Sequence, residues 1–265
     1  MKQLFLFISS VLLLNTPLYA DTIDLFIMAG QSNMQGWRSD AAHYPPDPAH
    51  IDQQIPFYYK AVGYGSTQLK WEVLEPQQGH FPAGHFGPEV TFARTAFHFG
   101  YHPAIFKYSS GGSSLKSDWK TAGQHGQYDD MVKHLKFAIH NMEAQGHHVI
   151  PRAIIWIQGE SDAEDAQLAH DYYWRLKNML NHLRRVVLRH PHLPVVLSVD
   201  EMHPQVQQHP EVVKAQQQLA REDHSIRFFS MRGLQKYDVT HLTAKGTILQ
   251  GKRAYYAFQQ IVAGH

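Results

Sequence analysis

Short, nearly continuous apolar runs recur along the chain, separated by segments whose apolar residues return every three or four positions. The runs are rich in β-branched and aromatic residues, and their lack of polar alternation indicates strands buried on both faces. Five strands are predicted, at residues 23–29, 104–109, 153–158, 195–199 and 226–230. Helical spacing predicts helices at 89–99, 128–144, about 164–188, 211–222 and 247–262. This alternation predicts an α/β fold with a parallel sheet.

The region from 39 to 87 has no clear period and holds many of the prolines and glycines. It is predicted to be a long loop excursion, and long loops inside compact domains are often functional. The rest of the chain contains no internal repeat, low-complexity tract or linker. Residues 21–265 are therefore predicted to form a single domain.

The first twenty residues have the pattern of a secretory signal peptide. Lys2 precedes a short apolar stretch at 4–14, and Ala20 supplies a small residue for cleavage. The stretch is shorter than a bilayer-spanning helix requires. We expect residues 1–20 to be removed and the chain to be exported, to the periplasm or beyond.

Charge and composition narrow the function classes. Lys and Arg total 24 against 23 Asp and Glu, so the basic excess typical of a nucleic-acid-binding protein is not present. A mean hydropathy of −0.38 and the single long apolar run argue against membrane embedding. The chain has no cysteine, which excludes disulfides, thiolate metal sites and cysteine nucleophiles. We expect no metal and no other cofactor.

A serine follows the first predicted strand, in the run Gly30-Gln31-Ser32-Asn33-Met34. Ligands of open α/β sheets bind beyond the carboxyl ends of the strands. A serine at this place could attack a carbonyl while its own N–H holds the oxyanion. It could equally be a helix cap, and this run alone does not decide between the two.

An Asp-x-x-His pair, Asp238 and His241, precedes the last predicted helix. A spacing of three places both side chains on one side of a turn. A carboxylate beside an imidazole fixes its tautomer and stabilises the imidazolium that forms when the ring takes a proton from serine. This pairing distinguishes His241 from the other histidines of the chain.

Two further strand ends carry polar or flexible residues. Gly111 and Gly112 follow the second predicted strand, and a bare glycine lets a backbone N–H approach a ligand closely. Gln158 and Glu160 follow the third. The Gln158 amide could donate to an oxyanion, and Glu160 could orient its neighbours or bind substrate.

Taken in order, these motifs resemble the SGNH (GDSL-like) hydrolases. The similarity is greatest to the branch of sialate O-acetylesterases and carbohydrate esterase family 6, which includes acetylxylan esterases. Gly87-Pro88-Glu89 and Phe92-Ala93-Arg94 also match a stretch common in that branch. The resemblance spans about residues 24–258 and implies a three-layer, flavodoxin-like α/β/α sandwich on a five-stranded parallel sheet.

The resemblance also implies site roles and a reaction. Ser32 would be the nucleophile, His241 the general base and Asp238 its orienting partner. The N–H groups of Ser32 and Gly112 and the Gln158 side chain would form the oxyanion hole, with Gly111 as the alternative to Gly112. The reaction would be removal of O-acetyl groups from carbohydrates. Neither the particular sugar nor the oligomeric state follows from the sequence.

Several assignments stay open. Gln31, Glu160, Trp37 and Arg38 are candidate substrate contacts. Trp71 and Trp119 could stack on a sugar or simply pack the loops. The run Gly159-Glu160-Ser161-Asp162-Ala163 comes close to the nucleophile elbow of α/β-hydrolases, with Ser161 attacking and Asp200 or Asp238 assisting His241. A non-catalytic carbohydrate-binding protein of the same fold is the alternative from another class.

Overall fold

The computed structural model describes residues 21–264 and is built on one large sheet. Its strands are β1 (Thr22–Gly30), β2 (Pro56–Ala61), β3 (Gly65–Ser66), β4 (Glu72–Val73), β5 (Pro103–Ser109), β6 (His148–Ile157), β7 (Val195–Ser198) and β8 (Ile226–Phe228). Its helices are α1 (Ser32–Gln35), α2 (Glu89–His98), α3 (Gln127–Ala144), α4 (Ala166–His182), α5 (Pro204–Gln208), α6 (Glu211–Glu222) and α7 (Ala244–Val262).

The sheet order is β3-β2-β5-β1-β6-β7-β8, with β4 paired to β2. The pairings along β2-β5-β1-β6-β7-β8 are parallel, and the two-residue strands β3 and β4 run antiparallel to β2. The α/β class with a mostly parallel sheet is thereby confirmed. The five predicted strands correspond to β1, β5, β6, β7 and β8.

The strand count is higher than predicted because β2 lies inside the region that was interpreted as a loop. Residues 57–59 of β2 are buried, and Phe57 pairs with Ile105 of β5. The short apolar run of β2 is bounded by Pro56 and Gly63. Because proline and glycine are typical of loops, the sequence pattern did not predict a strand here. The excursion therefore adds the parallel strand β2 and, outside it, the two short antiparallel strands β3 and β4.

Alternate residues of β1 pack against helices on opposite faces of the sheet. Leu25 and Ile27 belong to a core shared with α3, α4 and α6, whereas Phe26 and Met28 belong to a core shared with α2 and α7. All four side chains are fully buried. Burial on both faces explains why the strand reads as an unbroken apolar run.

The predicted helix at about 164–188 corresponds to α4 and the helical turn that continues it. Asp165 caps α4 by accepting hydrogen bonds from Gln167 N and Leu168 N, both at 2.9 Å. At the end of α4 the helix continues into a wider turn at Leu183–Val187. The remaining predicted helices agree with α2, α3, α6 and α7 within about three residues.

The carboxyl ends of the central strands lie together at one edge of the sheet. Gly30 pairs with both Ser109 of β5 and Ile157 of β6, and Ile157 pairs with Ser198 of β7. The loops after these strands are therefore neighbours. None of the helices described here is long and apolar enough to cross a bilayer. The predicted signal peptide, residues 1–20, lies outside the described residues, and the single-domain organisation stays a prediction.

Candidate active site

A cleft of about 310 Å³ opens at the carboxyl edge of the sheet. Its lining residues are Gln31, Ser32, Gln35, Trp37, Tyr64, Gly111, Gly112, Glu160, Ser161, Glu164, His203, Thr240 and His241. Ser32 and His241, which are separated by most of the chain, therefore meet in one cleft. We call it the catalytic cleft below.

Ser32 enters the cleft from the turn between β1 and α1. Gly30 makes this turn possible, because its φ is +153° and a Cβ at this position would lie 2.0 Å from Ile157 O. Ser32 is the first residue of α1 and is 6% exposed. Its Oγ makes no side-chain hydrogen bond within the described part of the chain, which leaves the hydroxyl available to a substrate.

Asp238 and His241 form a hydrogen-bonded pair on the loop before α7. His241 Nδ1 lies 2.9 Å from Asp238 Oδ2 and 3.0 Å from Asp238 Oδ1. Burial raises the pKa of Asp238, but hydrogen bonds from the His241 side chain and from the backbone N–H groups of His241 and Thr240 outweigh it. The pKa of Asp238 is consequently below its ordinary value, and the carboxylate form is favoured beside the ring.

Backbone N–H groups converge on the same cleft. Gly111 and Gly112 follow β5, and Gly112 has a φ of +62°, a conformation that favours glycine. A Cβ on Gly111 would lie 3.9 Å from Ser32 Cβ, so this loop passes close to the serine. Over residues 21–264, the N–H groups of Ser32, Gly111 and Gly112 have no hydrogen-bond acceptor. They are available to an oxyanion.

Gln158 does not line the cleft, and its predicted oxyanion role does not fit the structure. Its side chain is fully buried, and Nε2 donates to Ser113 O at 2.9 Å and to Asp162 Oδ2 at 2.6 Å. Both amide hydrogens are therefore already used. Asp162 belongs to the acidic turn that follows β6. The sequence did not show that its carboxylate would accept a hydrogen bond from the Gln158 amide.

Three of the proposed substrate contacts, Gln31, Trp37 and Glu160, line the cleft as expected. The Trp37 ring lies 4.5 Å from the Tyr64 ring, centroid to centroid, and the two form an aromatic wall. Gln31 Oε1 accepts from Gly159 N at 3.3 Å, which ties the serine turn to the end of β6. An aromatic wall of this kind can hold the apolar face of a sugar ring.

Arg38 lies behind the Asp238–His241 pair rather than in the cleft. Its Nε is 3.9 Å from Asp238 Oδ2, and its guanidinium lies over the Tyr237 ring at 5.1 Å. The arrangement does not match the expected direct contact with substrate. Arg38 instead contributes positive charge to the outer side of Asp238.

Trp71 and Trp119 pack the loops. Trp119 is fully buried and its Nε1 donates to Ser113 Oγ at 2.9 Å. Trp71 Nε1 donates to Ala138 O on α3 at 2.9 Å. Neither ring lines the catalytic cleft.

Ser161 also lines the cleft, but its backbone is unlike that of a nucleophile elbow. Its φ of −73° and ψ of −30° are ordinary helical values. The elbow serine of α/β-hydrolases sits on a strained strand-to-helix turn. This difference favours Ser32 over Ser161 as the nucleophile.

Glu160 is a buried carboxyl at the base of the cleft. Oε1 accepts from Asp200 N at 3.2 Å, and Oε2 has no hydrogen-bond partner among residues 21–264. Burial raises the pKa of Glu160 to about 7, and the charge of Asp200 adds to the rise. Glu160 thus titrates near neutrality.

The raised pKa of Glu160 predicts a pH-dependent stability. The folded state binds this proton more tightly than the unfolded chain, so the stabilisation is present at low pH and is lost as pH rises through about 7. Glu160→Gln should therefore gain about 3 kcal/mol relative to wild type between pH 4.5 and 8. Urea unfolding of both proteins across that range measures the difference. Burial also raises the pKa of Asp162, to about 6. Because Asp162 is present in both proteins, its contribution cancels in the difference between their stabilities. Parallel stability curves would contradict the assignment.

A buried ion pair supports the turn that carries Ser32. Lys107 Nζ donates to Glu89 Oε2 at 2.6 Å and to Gln35 O, the end of α1, at 3.0 Å. Glu89 Oε1 accepts from Gln77 Nε2 at 2.9 Å and from Gly87 N at 2.8 Å. Lys107 and Glu89 are both fully buried. The pair joins α1, α2, β5 and the excursion in one polar cluster.

Sequence reasoning did not find Gln35, Tyr64, His203 or Thr240. Tyr64 comes from the excursion, and no local pattern marks it. His203 follows the end of β7, and the rule that ligands bind at strand ends could have indicated it. Its Nε2 lies 2.9 Å from Thr240 Oγ1. Thr240 belongs to the loop before α7 that carries Asp238 and His241, which we call the His241 loop.

Comparisons with solved structures show the same α/β fold. Among solved structures, an Arabidopsis thaliana protein superposes with a TM-score of 0.67 at 23% identity, over 91% of this chain and 98% of that one. NanS gives a TM-score of 0.67 at 15% identity, over 93% and 99%. XAC1771, a carbohydrate acetylesterase from Xanthomonas citri, gives 0.61 at 16%, over 91% of this chain and 57% of that one.

The model of the family described as carbohydrate esterase, sialic acid-specific acetylesterase matches residues 22–260. The chain belongs to this family, and its reaction class is carbohydrate O-deacetylation. A search of curated proteins finds no match.

Proposed function

We propose that the chain hydrolyses O-acetyl esters of carbohydrates by acyl transfer through Ser32, His241 and Asp238. The observation that carries the proposal is the single cleft in which Ser32 meets the hydrogen-bonded Asp238–His241 pair. His241 uses Nδ1 for Asp238, so Nε2 is the nitrogen left for the serine proton.

The reaction has two halves. In the first, Ser32 Oγ bonds to the acetyl carbon while His241 Nε2 takes the serine proton, and a tetrahedral oxyanion forms. The ester C–O bond then breaks, and His241 returns the proton to the departing sugar oxygen. In the second half, water attacks the acetyl-enzyme with the same histidine as base, which releases acetate and restores Ser32.

The oxyanion is held by the free N–H groups of Ser32 and Gly112, with Gly111 as the neighbouring alternative. Loss of one such donor costs about 3–4 kcal/mol in enzymes where it has been measured. Gln158 is left out of this set because its amide is engaged elsewhere. The aromatic pair Trp37–Tyr64 borders the place where the sugar would lie.

A non-catalytic carbohydrate-binding role is the second candidate. It does not require a histidine whose Nδ1 is bonded to a carboxylate, or N–H groups left without acceptors beside a serine. Both features are present in the catalytic cleft. They support the enzyme over the binding protein.

The test combines acetate release with covalent labelling. The purified chain is incubated with O-acetylated sialic acid, acetylated xylan and acetylated peptidoglycan fragments, and free acetate is measured. A fluorophosphonate probe is then reacted with the protein, and the labelled peptide is identified by mass spectrometry. We expect acetate from at least one substrate and labelling at Ser32. Binding without acetate release or labelling would support the non-catalytic alternative, and labelling at Ser161 would support the elbow-type esterase.

A further inference from the structure

The side chain of Asn33 bridges the segment that carries Ser32 and the loop that carries His241. Asn33 is 2% exposed. Its Nδ2 donates to Thr240 O at 2.9 Å, and its Oδ1 accepts from Leu242 N at 3.1 Å. These two backbone groups are the neighbours of His241 on either side. One amide therefore holds the chain before and after the histidine.

Many of the other hydrogen bonds of the His241 loop stay within it. Asp238 Oδ1 accepts from Thr240 N at 2.8 Å and from His241 N at 2.7 Å, and Tyr237 N donates to His241 O at 2.8 Å. Such bonds fix the shape of the loop but not its distance from Ser32. Within the described residues, Asn33 is the one member of α1 that hydrogen-bonds to the loop.

The Asn33 amide has a further neighbour at the base of the cleft. The Glu160 carboxyl lies beside it, and Glu160 Oε1 accepts from Asp200 N at 3.2 Å. Asn33 thus lies between the His241 loop and the segment that follows β6. The amide uses both its donor and its acceptor on the His241 loop, which suits a residue that sets a distance.

We propose that Asn33 is a positioning residue that sets the separation of Ser32 and His241 by gripping the backbone on both sides of the histidine. The inference rests on the proposed function, because it presumes the Ser32–His241 proton transfer. That transfer requires the base within about 2.6–3.2 Å of the hydroxyl. A misplacement of about 1 Å can cost about a hundredfold in rate.

Asn33→Ala is expected to lower kcat for p-nitrophenyl acetate by about a hundredfold and to leave KM within about threefold. The Trp37–Tyr64 wall does not depend on Asn33, so substrate binding is retained. The rate of fluorophosphonate labelling should fall by a similar factor.

Asn33→Asp is a second variant that keeps the shape and the acceptor for Leu242 N. It replaces the donor to Thr240 O with a carboxylate oxygen, so it should also lose activity, and thermal unfolding of both variants shows whether each is folded. Thr91→Val is the matched control, because Thr91 Oγ1 donates to Ile248 O at 2.8 Å between α2 and α7, away from the cleft. It should lower the melting temperature and leave kcat unchanged.

Three outcomes would overturn the inference. The first is an unchanged kcat in folded Asn33→Ala, and the second is a rise in KM at constant kcat. The third is a loss of kcat that Thr91→Val reproduces at equal loss of melting temperature. Ser32→Ala separates this failure from a failure of the proposed function: if Ser32→Ala is inactive while Asn33→Ala is not, only the positioning role is wrong.

Discussion

Ser32→Ala is expected to remove esterase activity, with a loss in kcat on the order of 10⁴ to 10⁶. The reason is that the acetyl group has no other acceptor in the proposed mechanism. The substitution should cost little stability, since Ser32 Oγ makes no side-chain hydrogen bond in the part of the chain that the structure covers. Initial rates on p-nitrophenyl acetate and on the best carbohydrate ester give the measurement, with thermal unfolding as the check on folding.

Ser161→Ala is the matched control for this experiment. Ser161 is a serine of the same cleft with 8% exposure, so any effect of simply removing a hydroxyl from the cleft appears in both variants. Its expected loss is less than about tenfold. Wild-type turnover in Ser32→Ala, or loss of activity in Ser161→Ala alone, would transfer the nucleophile to the loop after β6.

Asp238→Asn is expected to lower kcat by about four orders of magnitude, as in the corresponding substitution of serine proteases. An asparagine oxygen can still accept from Thr240 N and His241 N, so the loop keeps its shape. The amide N–H₂, however, faces His241 Nδ1 and favours the ring tautomer whose Nε2 carries the proton. That tautomer cannot take the proton from Ser32. Steady-state kinetics at pH 8 measures the loss.

Arg38→Gln serves as the control for Asp238→Asn. It removes the positive charge 3.9 Å from Asp238 Oδ2 without changing the Asp238–His241 hydrogen bonds. Because this charge pair is partly exposed, its expected effect is below about tenfold. Equal losses in the two variants would mean that charge near the loop, rather than the tautomer of His241, governs the rate.

The hydrophobic pattern was sufficient for most of the sheet, because β1, β5, β6 and β7 are buried on both faces and read as unbroken apolar runs. It failed at β2, whose four apolar or aromatic positions stand between Pro56 and Gly63 in a region without hydrophobic periodicity. A strand of this kind acquires its pairing from β5 through the tertiary fold. Local sequence does not encode that partner.

The positions of the strand ends were sufficient to predict which residues of the candidate site lie close together. Ser32, Gly112 and His241 all lie in the cleft because the carboxyl ends of parallel strands share one edge. The rule does not predict side-chain orientation. Gln158 follows β6 as expected, yet its amide donates to Ser113 O and to Asp162 Oδ2. The role of Asn33 was not predicted, because its hydrogen-bond partners, Thr240 and Leu242, are more than two hundred positions away in the sequence.

The Lys107–Glu89 pair beneath α1 has a consequence for the conditions the protein tolerates. Dissolved ions weaken charge pairs that face water, over about 8–10 Å at moderate ionic strength, but they do not enter a dry interior. Both partners are buried, and Lys107 also donates to Gln35 O at the end of α1, the helix that begins with Ser32. High salt should therefore leave intact the electrostatic contact that fixes the geometry around Ser32.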